Sequence, residues 1–532
     1  MFDVDVEQLV QNADQETLIG ALSVLGLILV FAQLSWRRLR RGRGGRSVDA
    51  GGWSMSRPIL WWSETEALTL GETYEGIFIC GATGSGKTSG SARGIADGFL
   101  RAKARGRGGP GVIFFTVKPG DRDFFMELAR NAGRSADVVI LGQGQGFNFL
   151  QYESERGGTD LVENAADLLA IGCEIAQRGG TQGGGQEDAN FWKNARQQLV
   201  RNAIVALNIA YGHAGVVELF AFVSSIPTTT KQAESKRFQK SSFCFKVYAD
   251  ALEKCQPEQE TELALSARYC TSQLPAAGER TQGNVLLTLT SMADILVRGL
   301  AKQMLCSETT VTPKDLERGK IIIVDVPIAK YGLTGRLIQG IIRYCFQQAM
   351  LKRDVRQDLR PVLFFQDECQ AVTSSHDAKF LSLCRAFNVA NIFATQNLGN
   401  MEAACGGVNG KAETSSILGN LNLKIMHANG CPNTNKWVSE CIGMSRQYKF
   451  SANNSYQPAD VLSDVFGFGP GPSTNAGFSE EWQYEVQPAE FTRLRTGGVR
   501  HNYLIDAIAF QAGRVFLDTG RTWRRVTFRQ KV

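Results

Sequence analysis

The chain has 532 residues, 43% of them apolar, and a formal net charge of +6. Such a length and apolar content exclude a disordered chain and allow three or four domains, while so small a charge excludes a polycation and confines any nucleic-acid contact to local patches. Twelve cysteines without a C-x-x-C pair and only four widely spaced histidines argue against disulfide, zinc or His-based metal frameworks, and favour reduced core thiols in a cytosolic body.

In chain order, residues 1–16 are acidic and precede an uncharged run, Thr17 to Trp36. Twenty residues of helix span about 30 Å, the thickness of a bilayer core. Arg37, Arg38, Arg40, Arg41, Arg43 and Arg46 follow it, so the run reads as one transmembrane helix with the N-terminus outside and the rest in the cytoplasm. No positive charge precedes the run and no small-residue cleavage site follows it, unlike a cleaved signal peptide. Residues 37–56 read as a flexible basic linker suited to anionic lipid.

The body begins near residue 57. Gly76 to Cys80 is a short apolar strand leading into Gly81, Ala82, Thr83, Gly84, Ser85, Gly86, Lys87 and Thr88, the spacing G-x-x-x-x-G-K-[ST]. In such a loop the backbone N–H groups curl around phosphates and the following helix adds its positive end. Lys87 would reach the β- and γ-phosphates of ATP, and the Thr88 hydroxyl would take a Mg²⁺ position. Strand and helix patterns then alternate through "GVIFFTVKPGDRDFF" and "ADVVILG", completing a first nucleotide-binding segment, 57–190. Helical spacing dominates 191–301, read as an inserted all-helical domain. Strands resume at "GKIIIVDVPI", opening the second nucleotide-binding segment, 302–520. Near-continuous apolar strands separated by helices imply a parallel sheet covered on both faces, with ligands at the carboxyl ends of its strands.

Val362 to Phe365 is such a strand and ends in Gln366, Asp367 and Glu368. Asp367 fits the Mg²⁺ shell, and Glu368 fits a base for an attacking water. A further strand, "NIFATQN", ends in Gln396, placed to sense the γ-phosphate or orient the water. Ser451 to Gln483 is polar and rich in glycine and proline, and reads as a long surface loop. Residues 521–532 read as a basic tail. In it "RTWRRVTFRQ" interleaves arginines with Trp523 and Phe528, and with "RAKARGRGG" (101–109) it is a local candidate for sequence-nonspecific DNA contact.

Phosphate loop, helical insertion, "DE" and "ATQ" together resemble the RecA-like motors of the HerA–FtsK class. More closely they resemble type IV coupling proteins of the TraD/TraG type, over about residues 57–515. "VKPGDRDFF", "GFNFL", "NFWKNARQQL", "GNLNLKIMH" and "PAEFTRLRTGG" are similar to further segments of that family, although Phe149 replaces a proline and "CQAVTSSHDA" lacks the family's proline and leucine after "DE". The resemblance implies an α/β fold, a RecA-like P-loop NTPase with a mainly parallel sheet, an inserted all-helical domain and an N-terminal transmembrane helix. It implies an ATP- and Mg²⁺-dependent ATPase in the bacterial inner membrane, a homo-oligomer, by family habit a hexamer. Such a motor couples DNA, a relaxase nucleoprotein or protein cargo to a type IV secretion or conjugation channel. Arg385, eleven residues before Gln396, stands where the family's arginine finger is expected. The family commonly has two N-terminal spans; this chain shows one. Alternative readings are a HerA/FtsK-like DNA pump for partitioning or packaging, and a non-translocating ATP-dependent assembly scaffold.

Overall fold

The structure is a computed structural model. It describes residues 52–530 apart from 105–107, 143, 157–160, 179–185, 358, 407–409 and 456–472. The chain divides into two compact units, Met1–Met55 and Ser56–Val532. The expected membrane helix 17–36 lies outside the described residues, with 1–16 and most of the linker. Among the described residues, no single helix is long and apolar enough to cross a membrane. In the first unit the described residues, 52–55, carry no helix or strand.

The second unit opens with a small antiparallel pair, β1 (Pro58–Trp61) and β2 (Ala67–Thr69). Then come β3 (Ile77–Cys80), α1 (Arg93–Leu100), β4 (Gly111–Phe115), α2 (Asp121–Asn131) and β5 (Val138–Leu141). A block of helices follows, with α3 (Leu161–Arg178) and α4 (Gln186–Tyr211) among the longest. The sheet resumes with β6 (Ile321–Val324), α5 (Ile328–Leu351), β7 (Val362–Gln366), α6 (His376–Leu383), β8 (Val389–Thr395), α7 (Leu398–Cys405) and β9 (Leu423–His427). Last are α8 (Pro432–Ile442), β10 (Met444–Ser455), β11 (Ser473–Tyr484), β12 (Leu504–Gln511) and β13 (Trp523–Arg529).

The main sheet has the order β13-β12-β9-β3-β8-β7-β4-β6-β5. From β9 to β5 every neighbouring pair is parallel, and β12 and β13 add an antiparallel edge beside β9. "IFIC", "GVIFF", "IIIV" and "VLFFQ" are buried at every residue, as strands covered on both faces must be. One face is sealed by stacking of Phe114 on Phe125, centroids 4.3 Å apart, with Phe365 edge-on at 5.5 Å. On the helical side, α5 approaches α3 so closely that a Cβ at Gly340 would lie 2.2 Å from Ile175 Cδ1. All twelve cysteines are free thiols, and burial pushes Cys80 up to about 12.

Three segments differ from expectation. Helices between β5 and β6 already begin at Phe149, well before residue 191. Ser451–Gln483 is not simply a loop: β10 and β11 pair antiparallel from Met444↔Tyr484 to Ser455↔Ser473. Met444, Tyr448, Phe450 and Ala452 alternate with polar residues, and Ala476, Phe478, Trp482 and Tyr484 stand at even spacing in the partner strand, but the Gly/Pro-rich stretch between them made the whole segment read as loop. Residues 523–529 are the edge strand β13 rather than a tail. Arg524 breaks the apolar pattern at an inward position, where it pairs with Asp518 at 2.7 Å.

Candidate active site

The parallel strands deliver their carboxyl ends to one side of the sheet. The loop 81–88 leaves β3 between β8 and β9, and both neighbours hold it. Gly81 N–H donates to the Thr395 carbonyl at 3.3 Å, and Ala82 N–H to that of Ala428 at 2.9 Å. Gly81 has no room for a side chain, since a Cβ would lie 2.4 Å from Ser85 Oγ and 2.7 Å from His427 Cβ. Gly86 has φ 85°, and its Cβ would meet Ile505 Cδ1 at 2.5 Å. Thr88–Ala92 forms one wide π turn before α1, closed by Ala92 N–H on the Lys87 carbonyl at 3.1 Å. Such turns recur at functional sites.

The predicted carboxylates come to this loop from β7. Thr88 Oγ1 donates to Asp367 Oδ2 at 2.8 Å, although the two residues are 279 positions apart. Glu368 Oε1 lies 3.6 Å from Lys87 Nζ and accepts from Gln396 Nε2 at 3.1 Å. Lys87, Thr88, Asp367, Glu368 and Gln396 therefore meet at the tips of β3, β7 and β8. Burial raises the Asp367 carboxyl above its usual range, against the pull of Lys87 and the Thr88 hydrogen bond. Burial works the same way on Glu368. There, hydrogen bonds from Gln370 and Gln396 with the Lys87 and Lys118 charges outweigh it, and the carboxyl sits below its usual range. Glu368 is held in the left-handed region, φ 46° and ψ 49°, an uncommon conformation for a non-glycine residue.

Arg385 is not in this cluster. It lies in the turn Cys384–Phe387 that enters β8 from the opposite end, about 20 Å of strand away from Gln396. Its side chain is 71% exposed and pairs with Glu75 Oε1 at 3.3 Å.

Four residues join the site without having been assigned chemistry from the sequence. Lys118 Nζ stands 3.9 Å from Glu368 Oε1, on the turn after β4. Gln370 Nε2 donates to Glu368 Oε2 at 2.9 Å. Asn429 Nδ2 donates to the Gln396 carbonyl at 2.9 Å and so fixes the tip of β8. His427 Nε2 lies 2.7 Å from Ser91 Oγ beneath the loop, and burial, then Lys87, pushes its pKa down to about 3, so it stays neutral. Lys118, Gln370 and His427 lay in quoted segments without being singled out, and Asn429 carried no signal beyond its nearness to one.

A cavity of about 160 Å³ opens beside the loop, walled by Thr83, Ser85, Asn429, Gly430, Thr492 and Thr496. A larger one, about 490 Å³, lies among the helices near Gln151, Gly212 and Glu218, away from the phosphate loop. The basic C-terminal patch is largely engaged within the chain. Trp523 Nε1 donates to Glu485 at 2.6 Å, Arg525 Nη2 to Asp506 at 3.0 Å, and Phe528 is buried. Phe528 is therefore not free to stack on bases, while Trp523 is half-buried with Arg521 over its ring at 5.3 Å. In the other basic stretch, Arg101 Nε donates to Asp97 at 2.9 Å, and residues 105–107 lie outside the described residues.

Residues 361–480 match the family described as the TraM recognition site of TraD and TraG. The matched span includes Asp367, Glu368, Arg385 and Gln396 and runs into the β10–β11 ribbon. No curated protein sequence matches the chain. Among solved structures, the fold is similar to the bacterial conjugative coupling protein TrwB lacking its first 70 residues, in an unbound form. The TM-score is 0.55 at 15% identity, over 88% of this chain and 90% of that one. TrwB with a non-hydrolysable ATP analogue gives 0.54 at 16% identity, over 86% of each chain. TrwB with ADP and Mg²⁺ gives 0.53 at 15%, over 88% and 87%. The fold is thus that of a RecA-like P-loop protein with a mainly parallel sheet. The resemblance to type IV coupling proteins of the TraD/TraG type is carried by the family match as well as by the fold.

Proposed function

We propose that the chain is an ATP-driven coupling motor that feeds DNA or a nucleoprotein into a conjugation or type IV secretion channel. The carrying observation is the meeting of Lys87 and Thr88 with Asp367, Glu368 and Gln396 at three strand tips, inside a fold and a family segment shared with coupling proteins.

The chemistry follows from the residues. The loop amides and Lys87 hold the β- and γ-phosphates. The crowded cradle at Gly81 and the orphaned, buried Ser85 hydroxyl fit a bound phosphate chain. Thr88 and Asp367 are the hard oxygen donors that would hold Mg²⁺, which supplies neutralising charge on the phosphates. Glu368, kept ionised by its surroundings, takes a proton from the attacking water. Gln396 orients that water or reads the γ-phosphate. In a homo-oligomer, a hexamer in this reading, Arg385 of one subunit stabilises transition-state charge at the next. Its place at the far end of β8 and its exposure are what a group working outside its own site requires. Hydrolysis then depends on assembly.

In the same reading the chain sits in the bacterial inner membrane through residues 17–36, with the ATPase body in the cytoplasm; the uncharged run and the arginines after it support this. The matched segment supports contact with a relaxosome protein of the TraM kind.

The test is ATP turnover by the full-length chain in lipid nanodiscs, with and without single-stranded or duplex DNA, across protein concentrations. Turnover that rises with DNA and steepens with concentration is expected. Turnover indifferent to both, yet abolished by Lys87→Ala, would leave an ATPase and overturn the DNA motor.

A further inference from the structure

Glu368 has two carboxylate oxygens, and the structure treats them differently. Oε1 faces the phosphate loop, where Gln396 Nε2 lies at 3.1 Å, Lys87 Nζ at 3.6 Å and Lys118 Nζ at 3.9 Å. Oε2 accepts from Gln370 Nε2 at 2.9 Å. Gln370 is itself held, because Thr395 Oγ1 donates to Gln370 Oε1 at 2.9 Å. The Thr395 side chain is fully buried at the end of β8, next to Gln396. One amide therefore joins the turn that carries the base to the strand that carries the sensing glutamine. The turn is tight: Ala371 N–H donates to the Glu368 carbonyl at 2.9 Å, closing the 3-10 turn Cys369–Ala371. Gln370 also lines a cavity of about 330 Å³ on the side of Ile175, Arg336 and Asn400, apart from the phosphate loop.

We propose that Gln370 is a positioning residue for hydrolysis, anchoring Glu368 Oε2 so that Oε1 alone meets the attacking water. This rests on the ATPase reading above. When phosphates enter the loop, Lys87 and Gln396 have them as competing partners, and Oε1 is released. Gln370 has no phosphate to turn to and keeps its hold on Oε2. The water oxygen then bonds to the γ-phosphorus as the bond to the bridging oxygen breaks, with ADP as leaving group. The water's proton passes to Oε1 and on to solvent or product phosphate. Without Gln370 the carboxylate can rotate within its left-handed turn, and the base is no longer aligned when the water arrives.

The experiment compares Gln370→Met and Thr395→Val with the full-length parent. The first keeps length while removing both polar atoms; the second removes the hydroxyl that holds the amide. For Gln370→Met, kcat should fall about tenfold, part of the 10²–10⁴-fold that a positioned base supplies. KM and binding of a non-hydrolysable ATP analogue should stay within about twofold. Thr395→Val should lower kcat less, with KM and analogue binding likewise held, and the double variant should be no worse than Gln370→Met. An unchanged kcat in both variants would overturn the proposal, as would a loss of rate matched by loss of analogue binding. A kcat in Glu368→Gln equal to the parent's would overturn the role of Glu368 as base instead, and absence of ATP turnover in the parent would overturn the underlying ATPase reading.

Discussion

The two ends of β8 are built on opposite principles. At its carboxyl end, Thr395 and Gln396 sit in a largely buried web of hydrogen bonds with Glu368, Gln370, Asn429 and Cys80. At its amino end, Arg385 projects into solvent with a single carboxylate beside it. The first end is preorganised: desolvated and hydrogen-bonded, it loses little order when the reaction begins. The second is an arrangement that a neighbouring subunit could complete, since an exposed ion pair is weak and easily exchanged.

That contrast can be broken first at the buried end. Glu368→Gln should lower kcat by about 10²–10⁴-fold with nucleotide binding retained, measured as steady-state turnover against analogue affinity. Arg385→Ala should lower turnover by up to about 10³-fold at high protein concentration and change little at low concentration, because a trans arginine acts only in the assembly. Concentration-independent loss would place Arg385 in the structure of its own chain. Asp377→Ala removes the partner of the buried Arg343, which ties α5 to α6 below the "DE" turn. It should destabilise the fold by about 3–5 kcal/mol in chemical denaturation, because an uncompensated charge remains inside.

A gentler probe is pH. The Glu368 carboxyl is depressed in the folded chain, so its contribution to stability is full above the unfolded value and is lost as pH falls through the lower folded one. The acid limb of kcat/KM, which reports the free enzyme, should accordingly lie below the ordinary glutamate range. Smallest of all, Arg385→Ala should leave the melting temperature within about 2 °C of the parent, the expectation for loss of a mostly exposed arginine's ion pair worth at most about 1 kcal/mol.

The motif residues were legible in the sequence because each sits at the end of an apolar strand, where only a polar or glycine residue breaks the run. Lys87, Asp367, Glu368 and Gln396 could be named that way. Gln370 could not, since one glutamine in a turn looks like any solvated residue until Thr395 is seen across from it. Nor could β13: Arg524 occupies an inward position that composition assigns to an apolar side chain, and only Asp518 and Glu66 explain it. The β10–β11 ribbon escaped because the polar, Gly- and Pro-rich composition of the whole segment reads as loop and hides the alternation within each strand.

What consecutive residues dictate, the sequence determined alone. A phosphate-binding turn needs its glycines and its lysine in fixed order, and a strand covered on both faces needs an unbroken apolar run. What depends on strand order belonged to the tertiary structure. Thr88 meets Asp367 across 279 residues because β3 and β7 run parallel with a single strand, β8, between them, and Arg385 leaves its own site because β8 carries it to the other end of the sheet. Local backbone preference acts over a few bonds, whereas the pairing of distant strands is settled by the packing of the whole core.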